Sequence, residues 1–215
     1  MTRIIPTLLA TTESSYKEAV DKIESSALFK DGWVQIDLMD NKFVPNKSIG
    51  LDILSKYPFS GQKEAQLMVE DPLNWVDKLA ALQFSRIIFP VEIGNTAEII
   101  QKIKSYNIQV GISLNPETSV DKVIPFLDKI DAVLFMSVHP GFQRQEFIPE
   151  TLNKIKELTK LRDGNKFLIE VDGGITPELA RGLLDVGVDN LAVGSRLFNG
   201  DIQENMEKFW EAING

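Results

Sequence analysis

The chain has 215 residues, with 23 Lys and Arg against 31 Asp and Glu, a formal charge of −8. That acidic balance, without any basic tract, argues against nucleic acid as a partner, and no run approaches the roughly 18 apolar residues of a membrane span. With no cysteine and one histidine, His139, disulfides, thiolate metal sites and sites needing two imidazoles from one chain are excluded.

Residues 1–9 hold an Arg and a Pro in a very short apolar run and do not read as a signal peptide, so a cytoplasmic protein is expected. Short β-rich runs follow at 4–9, 33–38, 64–69, 86–89, 109–114, 132–138, 167–171 and 190–193. Between them lie helical patterns at 16–28, with Ala19, Val20, Ile23 and Ala27 on one face, and at 72–82, 96–106, 152–161 and 177–186. Asp71-Pro72 and Thr176-Pro177 each set a capping residue before a proline at the first helical position. Strands that are apolar nearly throughout, each followed by a helix, predict a parallel sheet buried on both faces. Eight units of about 27 residues leave only short connections. A doubly wound nucleotide binder usually has a glycine-rich turn after its first strand, and here Leu9-Ala10-Thr11-Thr12 has no glycine. The expected fold is therefore α/β, a (β/α)8 TIM barrel formed by one domain over 1–215.

In such a barrel the reactive groups sit at the C-terminal ends of the strands. Carboxylates end two of them, Asp37 after Val34-Gln35-Ile36 and Asp172 after Ile169-Glu170-Val171. Set on opposite sides of the mouth, they suit a base and an acid acting on opposite faces of one carbon. Alone, each is equally well read as a helix cap or a partner for lysine. Asp172-Gly173-Gly174 and Gly194-Ser195 present backbone N–H groups after strands seven and eight, where barrels often hold a phosphate. Such neutral donors let an acidic protein bind an anion. Met39, Met68 and Met136 fall at strand ends and form either a soft ligand floor or ordinary core. His139 reads as a solvated or substrate-contacting loop residue. These features together point to a barrel enzyme acting on a small phosphorylated molecule.

Seven motifs carry a more specific likeness: Ile5-Pro6-Thr7-Leu8-Leu9; Gln35-Ile36-Asp37-Leu38-Met39-Asp40-Asn41 with Val44-Pro45-Asn46; Gln66-Leu67-Met68-Val69; Leu114-Asn115-Pro116; Met136-Ser137-Val138-His139-Pro140-Gly141-Phe142; Glu170-Val171-Asp172-Gly173-Gly174; and Gly194-Ser195. In order and spacing, over essentially the whole chain, they resemble the ribulose-phosphate 3-epimerase family. The resemblance implies interconversion of ribulose 5-phosphate and xylulose 5-phosphate, or a close ketose phosphate pair. It makes Asp37 and Asp172 the catalytic pair that exchanges a proton at carbon 3. Substrate and phosphate contacts are expected from Thr7, Gln35, Gln66, Met39, Met68, Met136, His139, Gly141, Gly173, Gly174, Gly194 and Ser195.

The family holds a divalent metal with two histidines and these two aspartates, and here the histidine positions are Gln35 and Gln66. Amide oxygens are poor ligands for zinc or iron. Asp37 and Asp172 with Gln35 and Gln66 would make at best a weak hard-cation site for Mg, Mn or Ca. The alternative is a metal-free enzyme whose glutamine NH₂ groups hydrogen-bond the enediolate. Three further departures are Thr7 and Ala10 at the first strand, where the family usually carries serines, the loop Gly141-Phe142-Gln143-Arg144-Gln145, which loses two glycines, and Phe89-Pro90-Val91-Glu92, which loses a histidine. An epimerase-like isomerase thus stands beside a catalytically impaired or inactive sugar-phosphate binder and a barrel enzyme with a changed enediolate reaction. The expected partner is a small phosphorylated sugar, with no nucleic acid and no membrane; relatives are commonly oligomers, which leaves a homo-oligomer open.

Overall fold

Eight parallel strands close in sequence order into one barrel in the computed structural model, which describes residues 3–26, 29, 32–162 and 166–215. They are β1 (Arg3–Leu8), β2 (Trp33–Met39), β3 (Gln62–Met68), β4 (Arg86–Pro90), β5 (Gln109–Leu114), β6 (Ala132–Met136), β7 (Leu168–Asp172) and β8 (Asn190–Val193). The helices are α1 (Glu13–Ser25), α2 (Leu51–Lys56), α3 (Leu73–Ala81), α4 (Thr96–Lys104), α5 (Thr151–Thr159), α6 (Pro177–Asp185), α7 (Ser195–Phe198) and α8 (Ile202–Asn214). Among the described residues no helix is long and apolar enough to cross a membrane.

The strands' two-residue period divides the interior. Val34, Ile36, Leu38, Ala65, Leu67, Ile87 and Phe89 belong to the main core, which takes in the apolar faces of the helices. The alternate positions supply the polar side chains Gln35, Asp37, Glu64, Gln66, Arg86, Glu170 and Asp172, all buried, and two small apolar clusters, Ile88-Leu134-Met136-Val138 and Met39-Val44-Met68. Register then sets the height of each functional group. Asp37 pairs with Gln66, Thr7 with Gln35, and Asp172 with Met136 on one side and Ala192 on the other.

Four local expectations are corrected. Helix α1 begins at Glu13, not 16, because Thr12 and Ser15 form a capping box, with Thr12 Oγ1 accepting from Ser15 N at 3.2 Å; its expected end at Ala27 and Leu28 lies outside the described residues. The cap of α3 is Pro72, while the Asp71 carboxylate instead accepts from Asn74 Nδ2 at 2.6 Å. Strand β5 is followed by 3₁₀ turns (Val120–Lys122 and Ile124–Lys129), not by an α-helix. Pro125 removes the N–H a regular helix would need there. The closing helix α8 was not anticipated; Asp201 caps it, accepting from Gln203 N at 2.8 Å and Glu204 N at 3.0 Å, and it buries Ile202, Met206, Phe209 and Ile213.

Candidate active site

The two carboxylates meet across the barrel through one amide. The NH₂ of Gln35 lies 3.0 Å from Asp37 Oδ1 and 2.9 Å from Asp172 Oδ2, and it also donates to Gln66 Oε1 at 2.7 Å. Gln35 and Gln66 are wholly buried, while Asp37 and Asp172, also buried, face the cavity above them. Burial first, then the negative charge of Asp172, raises the Asp37 carboxyl well above its ordinary range, against the lowering effect of the Gln35 hydrogen bond. Asp172 is pushed up to about 7 by burial, with Gln35 opposing and Glu170 adding to the rise. Near neutral pH the pair therefore keeps a proton, and one base stands beside one acid.

The Gln66 amide reads that protonation. Its inward end lies 2.8 Å from Asp172 Oδ2 and 2.9 Å from Asp37 Oδ1. An oxygen there is repelled by two carboxylates but accepts a hydrogen bond from a protonated one. With the NH₂ turned inward instead, it would donate to both carboxylates but stand 2.7 Å from the nitrogen of Gln35, two donors in contact. With one proton on the pair, the oxygen-inward arrangement is self-consistent. It also puts the Gln66 NH₂ 2.8 Å from Met136 Sδ.

A cavity of about 570 Å³ opens above the carboxylates. Its lining includes Thr7, Met68, Met136, Gly141, Gly173, Gly174, Gly194 and Ser195, so most of the residues expected from the sequence converge. Thr7 Oγ1 is buried there with no hydrogen-bond partner among the described residues, a free group for a ligand hydroxyl. Gly173 and Gly174 have φ of +118° and +62°, and a Cβ on Gly174 would come within 2.4 Å of Phe147 N, so only glycine fits. Met39 packs with Val44 and Met68 instead of lining the cavity. His139 also lies outside the lining; it is exposed, with Nδ1 3.3 Å from Glu117 Oε1.

Two supports were not foreseen. Ser137 Oγ donates to the carbonyls of Asp172 at 2.9 Å and Gly173 at 2.6 Å, pinning the turn that carries the carboxylate and the glycines. Its buried position at a strand end was the available signal. The loop that lost two glycines is held across the mouth, where Gln143 Nε2 donates to Leu9 O at 2.9 Å and Asn46 Nδ2 to Gly141 O at 3.0 Å. Arg144 takes the left-handed backbone, φ 63°, in place of a glycine.

Comparison with known proteins decides the kinship. The model of the Ribulose-phosphate 3 epimerase family matches residues 3–198. The chain belongs to the ribulose-phosphate 3-epimerase family. Ribulose-phosphate 3-epimerase of Chlamydia muridarum (strain MoPn / Nigg) is 34% identical over 212 residues, covering 95% of this chain and 92% of that one. The enzyme of the same name from Schizosaccharomyces pombe (strain 972 / ATCC 24843) is 31% identical over 210 residues, covering 95% and 90%. Among solved structures, KGPDC from Streptococcus mutans matches with a TM-score of 0.72 at 14% identity, covering 99% of this chain and 97% of that one. A 3-hexulose-6-phosphate synthase matches with a TM-score of 0.70 at 14% identity, over 99% and 100%. At such identities these two structures speak for the barrel alone. Membership of the epimerase family supports sugar-phosphate epimerase function.

The metal implied for ribulose-phosphate 3-epimerases does not fit the donors present. Among the described residues no group of three or more His, Cys, Asp or Glu is placed to hold a metal ion. Where imidazoles would bind zinc or iron there are two amides, and the one from Gln35 turns its NH₂, not its oxygen, towards the carboxylates. The purified protein is expected to keep neither zinc nor iron through dialysis. Restoring both imidazoles, Gln35→His with Gln66→His, should create a zinc site completed by the two aspartates. Elemental analysis and zinc calorimetry on both proteins check this; a stoichiometric transition metal in the unaltered protein would overturn it.

Proposed function

We propose that the protein epimerises a ketose phosphate at carbon 3, ribulose 5-phosphate to xylulose 5-phosphate or a close relative, without zinc or iron. The observation that carries this reading is the pair of carboxyls held on one amide NH₂, beside glycine turns suited to a phosphate. The ionised carboxyl takes the proton from carbon 3, and the electrons of that C–H bond form the carbon 2–carbon 3 double bond of an enediolate. The protonated carboxyl then delivers its proton to the opposite face of carbon 3, restoring the ketone with inverted configuration and leaving the pair with its proton moved from one carboxyl to the other. Exchange with water resets it. The negative charge that builds on the oxygen at carbon 2 is met by the NH₂ of Gln35, the amide donor turned towards the carboxylates. A hydrogen bond to a charged oxygen contributes about 1.5–3 kcal/mol, about tenfold in rate for each 1.4 kcal/mol. The phosphate sits on the N–H groups of Gly174, Gly194 and Ser195 at the start of α7. The name shared by the relatives from Chlamydia muridarum and Schizosaccharomyces pombe, ribulose-phosphate 3-epimerase, supports a pentulose phosphate as the first substrate to try.

Incubation with ribulose 5-phosphate in deuterated water should place deuterium at carbon 3 and yield xylulose 5-phosphate, with the rate unchanged by chelators. In parallel, calorimetry should show inorganic phosphate and sugar phosphates binding more tightly than neutral ketoses. Binding without exchange for any pentulose or hexulose phosphate would leave a sugar-phosphate binder in place of an enzyme.

A further inference from the structure

The cavity does not end at the glycine turns. It continues past Ser195 to Arg196 on α7 and to Asn205 and Lys208 on α8. Among the described residues neither Arg196 nor Lys208 makes an ion pair. Both are exposed and line a cavity whose other charged residues are Asp37 and Asp172 at its floor and Arg144 and Glu146 on the loop opposite. Arg196 is the second residue of α7, and helical side chains lean towards the helix N-terminus. That lean is towards the backbone donors of Gly194 and Ser195, and the Glu178 carboxylate in the first turn of α6 is the acidic group that feels the charge of Arg196. Lys208 Nζ is steered by Asn205 Oδ1 at 3.4 Å, and the Asn205 NH₂ in turn holds the carbonyls of Leu197 at 3.1 Å and Asn199 at 2.9 Å. One side chain thus fixes both the end of α7 and the direction of the amine.

We infer that Arg196, supported by Lys208, is a side-chain clamp on the substrate's phosphate, gripping the oxygens that the glycine N–H groups leave facing solvent. The inference rests on the phosphate-site reading above and adds the charge which that reading lacks. Backbone donors bind an oxyanion with little regard for its charge state. Two cations beyond them favour the dianion of a phosphate monoester over a neutral sugar or a monoanion. They also place net attraction at the mouth of a protein that otherwise repels anions, a contribution that salt screens.

The test is calorimetry with inorganic phosphate and with ribulose 5-phosphate, at low and at high salt, beside steady-state kinetics. The proteins are the unaltered chain, Arg196→Gln, Arg196→Lys, Lys208→Gln and, as an exposed cation outside the cavity, Lys122→Gln. Arg196→Gln should weaken both ligands about fivefold or more and raise KM by the same factor with kcat held within about twofold, as expected for loss of one partly exposed charge-assisted contact. Arg196→Lys should recover part of that loss, and Lys208→Gln should cost about twofold. The affinity of the unaltered protein should fall with salt more steeply than that of Arg196→Gln, while Lys122→Gln should change nothing. Phosphate affinity unaltered by Arg196→Gln overturns the clamp, as does equal weakening by Lys122→Gln. The two readings fail separately. Absence of turnover with Arg196→Gln still weakening phosphate removes the epimerase and keeps the clamp; turnover with an unchanged KM does the reverse.

Discussion

Replacing Asp37 or Asp172 by Asn should lower kcat on the ketose phosphate at least about a hundredfold, the lower end of what a positioned acid or base supplies. Asn keeps the shape and one hydrogen-bond acceptor for Gln35 but can neither take nor give the proton. The double variant should be little worse than the poorer single one, since the two transfers form one relay. Phosphate affinity should survive in all three, because the glycine turns are untouched. With Asp172 pushed up to about 7 and Asp37 raised as well, kcat/KM should fall as the pH drops below about 7, when both carboxyls are protonated and no base remains.

The same pKa has the opposite consequence for folding. A carboxyl whose pKa rises from 3.8 when unfolded to about 7 when folded stabilises the fold fully below the unfolded value. That contribution is lost as the pH climbs through about 7. The difference corresponds to at most about 4 kcal/mol. Asp172→Asn, which mimics the protonated form, should therefore raise Tm at pH 8 by several degrees, at about 2–4 °C per kcal/mol for a chain of this size, and leave it unchanged at pH 4. Scanning calorimetry at both pH values distinguishes the outcomes. An inactive Asp172→Asn that melts earlier at pH 8 would trace its lost activity to misfolding and remove the acid–base assignment.

How much of this was readable beforehand depends on the range of the interaction. Asp37 and Asp172 stood out because a carboxylate at the end of an apolar strand is a local feature of the chain. Their meeting on the Gln35 NH₂ is not local: it depends on register around a closed barrel and on side-chain reach across it. The glycine turns were legible for the same local reason as the carboxylates. Helix α8 was legible and overlooked, since Asp201 is a capping residue and Ile202, Met206, Phe209 and Ile213 follow helical spacing. The likeness to the epimerases pointed to the two glutamines as departures; that their amides close a network with the carboxylates follows only from contacts 31 and 137 residues apart in the chain. Arg196 and Lys208 were invisible as a pair, because α7 and α8 bring them to the cavity only after the chain turns through Gly200, at φ 90°.

Least legible of all was the layer beneath the carboxylates, and it supports the second large effect. Arg86, Glu64 and Glu170 occur singly in three strands, and alternation alone would put a charge on a solvent face. The barrel instead buries all three. Arg86 Nη1 donates to Glu64 Oε2 at 2.8 Å and to Glu170 Oε2 at 3.2 Å, and its other nitrogens reach Gln109 Oε1 at 3.2 and 3.1 Å. The guanidinium also stacks 4.5 Å from the centroid of Trp33, and Asn190 Nδ2 donates to Glu170 Oε2 at 2.9 Å. Burial and the nearby charge of Glu170 raise the Glu64 carboxyl well above its ordinary range, with Arg86 opposing, which favours its protonated form. With Glu64 protonated, one cation balances one carboxylate and the layer is neutral. Arg86→Met removes the cation and leaves Glu170 charged in the barrel, at a cost of about 3–5 kcal/mol, a fall in Tm on the order of 10 °C. Glu64→Gln copies the protonated acid and should be nearly neutral at pH 8. The deficit of Arg86→Met should shrink between pH 8 and pH 5, because a carboxyl buried without its cation has a raised pKa and the folded state gains more from protonation than the unfolded one. Urea melts of the three proteins at both pH values decide it. A large loss in Glu64→Gln, or an Arg86→Met deficit independent of pH, would show that both carboxyls are ionised in the native barrel.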